Sequence, residues 1–156
     1  LLKKMTDEQW DAVLDVDLKG PFICSQIVSR LMIEQGSGCI INIGSTAYRG
    51  NIGQANYAAA KAGLIGLTRT MALELGRNNV RVNCIAPGPV DTALFGKMPE
   101  KFQKLAVERT ALKRIASPKE VGHLVAFLAS DEASFITGQV INLCGGQTIG
   151  IFAPWS

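Results

Sequence analysis

The stretch "CIINIGSTAYRGNIGQANYAAAKAG", residues 39 to 63, joins two kinds of local structure. Its opening, residues 39–44, is short, β-branched and apolar nearly throughout, which is the pattern of a buried strand. Its end is rich in alanine, the best helix former, and predicts a long helix over roughly 55–77. Gly50 and Gly53 mark a loop between them. A strand feeding a helix is the first half of a parallel crossover unit. The same helix raises a chemical question, because a run of glycine and alanine carries one tyrosine and one lysine four positions apart. Tyr57 and Lys61 would share one face, a single turn apart, on a surface that a flat ligand or another backbone can approach closely.

Working outward, "VRVNCIA" at 80–86 reads as a second strand and residues 139–144 of "TGQVINLCGG" as a third. Upstream, Thr6 and Gln9 form a capping-box pattern, and Trp10, Val13, Leu14 and Leu18 recur at helical spacing. "KGPF" at 19–22 interrupts or kinks that helix, and a second helical stretch runs from about Ile23 to Gln35. "PGPVDT" at 87–92 is a turn, and 93–110 is an irregular, helical stretch rich in Lys, Met and Phe. "SPKE" at 117–120 starts another helix, with Ser117 as cap, Pro118 at the first position and Glu120 closing the box; it should reach about Ser130.

Helices alternating with apolar strands give an α/β layer fold with a parallel sheet, right-handed crossovers and helices on both faces. Three strands make a thin sheet with an open edge, so the expectation is part of a larger sheet whose remainder precedes residue 1. The opening "LLKKMTDEQW" runs directly into a helix start and reads as a cut.

Composition narrows the classes. A chain of 156 residues, 47% hydrophobic and 19% charged, suits a single packed domain over 1–156. No apolar run is long enough for a membrane span. The net charge of +3 comes from scattered basic residues, which argues against nucleic acid. Cys24, Cys39, Cys84 and Cys144 show no C-x-x-C spacing. The last three of them lie in strand-like runs, which predicts buried free thiols in a reducing, cytoplasmic compartment. The single histidine, His123, lies in another segment, so no metal site is expected, and no G-x-S-x-G elbow makes it part of a hydrolase triad.

In open α/β sheets ligands settle beyond the carboxyl ends of the strands. Those positions are held here by "GSTAY" at 44–48, "PGPVDT" at 87–92 and Gly145–Gly146. Ser45 would therefore face the mouth where the long helix presents Tyr57 and Lys61. Together they can form a carbonyl-reducing site. A tyrosine hydroxyl has a reference pKa of about 10, and a cation within ~4–6 Å favours the phenolate. A shift of about two to three units corresponds to roughly 3–4 kcal/mol, within reach of a partly buried ammonium and a cofactor's positive ring. Ser45 would steady charge on the substrate oxygen. Each feature also has a plainer reading. The pair can be surface decoration, Ser45 a turn cap, Pro87 and Gly88 punctuation, and the alanine and glycine stripe core packing or an oligomer interface.

In combination, "INIGS", "YAAAK", "RVNCIAPGPVDT" and "FITGQVINLCGG" resemble the short-chain dehydrogenase/reductase family. "GQANYAAAKAGLIGLT" is similar to its 3-oxoacyl-[acyl-carrier-protein] reductase branch. The resemblance implies the C-terminal part of a doubly wound parallel-sheet, Rossmann-type domain that lacks the N-terminal dinucleotide-binding half. It implies Tyr57 as general acid/base, Lys61 as ribose-binding and tuning cation, and Ser45 as carbonyl-orienting group. It implies NADP or NAD as cofactor, held by Tyr57, Lys61, Pro87, Gly88, Val90 and Thr92. The substrate would be a small molecule or linked to an acyl carrier, covered by a lid at 93–116, and the helices near 6–35 and 55–77 would build a homodimer or homotetramer.

The chain departs from the family pattern in several places. The glycine-rich T-G-x-x-x-G-x-G turn and the N-A-G strand motif are absent. Asp17 stands where the family usually has an asparagine that helps hold a relay water, and it is read here as a solvated helix charge. The serine-to-tyrosine interval, twelve residues, is one short for this branch, and Gly44 and Cys144 replace a common serine and aspartate. The expected activity is ketone reduction, with a 3-oxoacyl thioester as substrate. The alternatives are oxidation of a secondary alcohol such as a sugar, steroid or cyclic diol, and a non-catalytic fragment that needs a partner segment. Lys97, Lys101 and Lys104 suit an acidic carrier protein or simply a solvated charged face.

Overall fold

A computed structural model describes residues 1–149, so the end of the expected 1–156 domain lies outside the described residues. Helix α1 (Asp7–Leu14) starts at Thr6, whose side chain accepts from the Gln9 backbone while the Gln9 side chain returns the bond, closing the capping box. The helix then passes through a π turn, Asp15–Lys19, into α2 (Gly20–Gln35). The expected interruption at "KGPF" is thus a change of helical pitch rather than a break. The Gly20 N–H reaches five residues back to the Asp15 carbonyl, and Pro21, which has no N–H to give, falls in the first turn of α2. Gly36, in the left-handed region at φ 70°, ends α2.

Strands β1 (Gly38–Ile43), β2 (Val80–Pro87) and β3 (Val140–Leu143) form one parallel sheet in the order β1-β2-β3. Gly38 pairs with Val80 and Ile43 with Ile85, while Cys84 to Pro87 pair with Val140 to Leu143. The central strand is buried almost end to end, as its unbroken apolar sequence requires. Helix α3 (Ala55–Leu75) joins β1 to β2. Two short helices, α4 (Ala93–Gly96) and α5 (Glu100–Glu108), followed by α6 (Pro118–Ala129), join β2 to β3.

Both faces of the sheet are covered. On one, Ile40, Val80 and Val82 pack against Met71, Ala72 and Leu75 of α3, with Met32 of α2 alongside. On the other, Ile85 meets Leu128 of α6 and Ala133, flanked by Ile41 and Ile141. The outer edges of β1 and β3 have no strand partner among the described residues.

Helix α3 is held to β1 at two points on one face. The Asn42 side chain donates to Thr68 Oγ1 at 2.9 Å, and Thr68 donates on to the Leu64 carbonyl at 2.8 Å. Two turns earlier, Lys61 Nζ donates to the Ile43 carbonyl at 3.1 Å. On its other side α3 meets α1 and the π turn at Gly63, where an added Cβ would lie 2.8 Å from Leu18 Cδ2. The small-residue stripe is thus helix packing in the first instance, and it lets the π turn come close to α3. No described helix is long and apolar enough to cross a membrane.

Candidate active site

The carboxyl ends of the strands open on a cleft of about 1250 Å³. Ser45 lies just past β1 and Tyr57 in the first turn of α3, and both line it. Gly88, Pro89, Val90 and Thr92 line it from the turn after β2. Pro87, expected among the cofactor contacts, is the last residue of β2, paired with Leu143; neither it nor Lys61 is among the residues that line the cleft.

Ser45 does two things at once. It caps the short 3₁₀ turn Thr46–Arg49, its Oγ accepting from the Ala47 N–H at 3.1 Å. That bond uses a lone pair and leaves the hydroxyl hydrogen to be donated into the cleft. The turn-cap reading therefore holds, and the same residue also lines the cleft.

Lys61 is 8% exposed, with Nζ 5.5 Å from the centroid of the Tyr57 ring. The one-turn spacing does bring the pair together. What the spacing could not reveal is the partner on the other side: Asp17 Oδ1 lies 2.9 Å from Lys61 Nζ. Asp17 is therefore not a solvated helix charge. Its side chain is only 27% exposed, and the neighbouring Asp15 and Lys19 pair with each other in the open. The cause is geometric, since the π turn adds a residue to the helical turn and rotates position 17 toward α3. No local pattern signals a contact between residues 44 apart in the chain.

The cysteines are free, as expected, but unequally buried. Cys24 is exposed, Cys39 half-buried, and Cys84 and Cys144 buried. Burial pushes the Cys84 thiol up, only partly opposed by the Gly44 backbone and the Lys61 charge. A Cβ on Gly44 would lie 2.9 Å from Cys84 Sγ, so the thiol fills the space that a larger residue at position 44 would need. Burial also acts to raise the Cys144 thiol, but the Thr148 side chain and the backbone at 148, 146 and 147 outweigh it and bring the thiol below its ordinary value.

The segment 93–116 forms the outer wall. Its two ends are tied together by a parallel bridge between Val90 and Ala116, with the Asp91 N–H donating to the Ala116 carbonyl at 2.8 Å. Leu94, Phe95, Met98, Phe102 and Leu105 present apolar surface to the cleft, and Phe102 is still 54% exposed. On the solvent side Lys104 pairs with Glu100 of its own helix at 2.7 Å, as a solvated face would.

A parallel α/β sheet with a serine, a tyrosine and a lysine gathered at its strand ends defines a doubly wound oxidoreductase-type half-domain. The chain belongs to the short-chain dehydrogenase/reductase family: the model described as enoyl-(acyl carrier protein) reductase matches residues 2–148. It is 49% identical to the 3-oxoacyl-[acyl-carrier-protein] reductase of Thermotoga maritima over 96% of this chain and 61% of that protein. Identity is 41% to the (2S)-[(R)-hydroxy(phenyl)methyl]succinyl-CoA dehydrogenase subunit of Thauera aromatica, covering 95% of the chain and 60% of the relative. It is 44% to the (3R)-3-hydroxyacyl-CoA dehydrogenase of Rattus norvegicus, covering 93% and 57%. The chain thus spans about three fifths of the length of these relatives.

Proposed function

We propose that this chain carries the catalytic half of an NAD- or NADP-dependent oxidoreductase that reduces the ketone of a 3-oxoacyl thioester, with Tyr57 as the general acid/base. One observation carries the reading. The Tyr57 ring lines, with Ser45, a cleft that the lid walls with apolar side chains, and the buried Lys61 ammonium is held 5.5 Å from that ring. Positive charge beside the ring stabilises negative charge on the phenolic oxygen, so Tyr57 can give a proton to a carbonyl oxygen and regain it. The free Ser45 hydrogen would bond that oxygen and steady the charge that builds on it. The apolar lid wall suits an acyl chain.

The residues fit the nicotinamide end of such a cofactor. Lys61 has three N–H donors, of which Asp17 and Ile43 take two, leaving one for a ribose hydroxyl. The turn at Gly88, Val90 and Thr92 would flank the ring. When bound, the nicotinamide supplies the hydride. The chain carries no G-x-G-x-x-G to hold a pyrophosphate. Oxidation of a 3-hydroxyacyl thioester uses the same residues in reverse, and relatives bearing either name favour acyl thioesters over sugars or steroids. A small acyl thioester or an acyl-carrier-linked one both fit, and a cytoplasmic homodimer or homotetramer belongs to the same reading. Nucleic acid and membrane are not among the proposed partners.

The test joins this chain to the N-terminal segment of the Thermotoga maritima relative and assays 3-oxoacyl thioesters against secondary alcohols. Tyr57→Phe should lose turnover by about 10²–10⁴-fold while cofactor binding, followed by fluorescence, stays nearly intact. A retained rate rejects the proton-transfer role. No fluorescence response in the parent protein supports the non-catalytic alternative.

A further inference from the structure

We infer that Arg49 is a specificity residue of the cleft: its guanidinium holds an anionic oxygen group, phosphate or carboxylate, that the substrate carries away from its ketone. The inference rests on the ketone-reducing role proposed above, which puts the reacting carbonyl at Ser45 and Tyr57. It starts from the unlike walls of the cleft. The lid contributes apolar side chains, among them Phe95, Met98 and Phe102. The segment after β1 contributes polar ones, Arg49, Asn51 and Gln54.

Arg49 ends the 3₁₀ turn Thr46–Arg49 that Ser45 caps. At a rise of about 2 Å per residue, the two positions are roughly 8 Å apart along that turn, within the span of one substrate. The guanidinium donates to the Thr148 carbonyl, on the segment after β3, and this bond anchors it between two strand-end turns. The tie needs one N–H of five and no charge, so the charge and the remaining donors of this exposed side chain are left for a ligand. A planar guanidinium fork matches a carboxylate or phosphate with two parallel bonds.

The other groups on the cleft do not compete for this role. Asn51 donates to Gln54 at 2.7 Å, so those two amides answer each other. Glu108 and Arg109 line the cleft as adjacent residues of opposite sign. Among the described residues no carboxylate forms a salt bridge with Arg49. The lining therefore carries a net positive charge, and Arg49 is its source.

The anion is either a phosphate on the arm that bears the thioester or a carboxylate at the far end of the acyl chain. Two matched pairs separate these sources. Acetoacetyl-pantetheine against its phosphate ester tests the arm. The 3-oxohexanoyl against the 3-oxoadipyl thioester of N-acetylcysteamine tests the acyl end. Binding to the joined protein is read by calorimetry with oxidised cofactor present, so that no ketone is consumed. The parent should bind the charged member of one pair about three- to tenfold more tightly. Arg49→Gln, which keeps an N–H for Thr148, should erase that preference and leave the uncharged member unaffected, and Arg49→Lys should keep part of it. Equal binding within both pairs in the parent overturns the inference, and so does a preference that survives in Arg49→Gln. If the Gln variant does not fold, added salt decides with the parent alone: it must weaken the charged member only, and indifference to salt overturns the inference. Turnover with reduced cofactor is measured separately. A parent that prefers the charged member yet reduces none of these ketones keeps the anion site and loses the reading of the reaction. A parent that reduces both members of each pair alike loses only the role of Arg49.

Discussion

Lys61 shows how one side chain can tie chemistry to stability. Its stem crosses the helix–sheet boundary and its head satisfies a strand-end carbonyl and a carboxylate that are both partly shut away from water. Lys61→Ala leaves those two acceptors without a donor, a loss that costs about 1–3 kcal/mol for a buried group. It should therefore reduce turnover and cofactor affinity together and also lower the urea midpoint. Combining it with Asp17→Asn should recover part of the stability, because the stranded charge is gone. Equilibrium unfolding of the two single variants and the double variant checks this, and strict additivity of their effects would argue that the pair is not coupled.

Among the elements, the junction between the 93–116 segment and α6 has the clearest electrostatic signature. The Arg114 guanidinium bonds both oxygens of Glu120 at 2.9 and 2.7 Å, and the Ser117 N–H adds a third bond at 2.8 Å. The guanidinium first, and the Ser117 backbone second, hold the Glu120 carboxyl down at about 2. A depressed acid contributes stability above its ordinary value of 4.5 and loses it as pH falls toward about 2. Melting temperature should thus fall across that window in the parent, and Glu120→Gln should flatten that part of the curve. Because the pair is open to solvent, added salt should shrink the difference. This element was legible in "SPKE" because a capping box is written in four consecutive residues. The strand runs and the Tyr57–Lys61 spacing were legible for the same reason, since their periods are local. The π turn was not, because the apolar spacing of Val13, Leu14 and Leu18 continues through it and only Pro21 hints at a change. The end of β2 was placed one residue early, at 86, because a sequence cannot show that Pro87 still pairs with Leu143.

At the scale of the whole molecule, the covered faces of the sheet contrast with a bare face on α2. Cys24, Ile27, Val28 and Leu31 lie at three- and four-residue spacing, so they share one side of the helix, and all are exposed. Leu31 is 64% exposed, unusual for a residue on a continuous apolar stripe. This face is where the proposed homodimer or homotetramer would close, and Cys24 sits within it as a built-in probe. In the dissociated protein Cys24 should react with iodoacetamide as an ordinary exposed thiol, while Cys84, buried and raised in pKa, should lag far behind. Raising the protein concentration through the association range should protect Cys24, in step with the rise in mass seen by light scattering. Leu31→Glu should keep Cys24 reactive at every concentration, because a charge in the middle of an apolar contact carries a desolvation cost with no partner to offset it. Labelling of Cys24 that is indifferent to assembly would place the subunit contact elsewhere and leave the α2 face to another occupant.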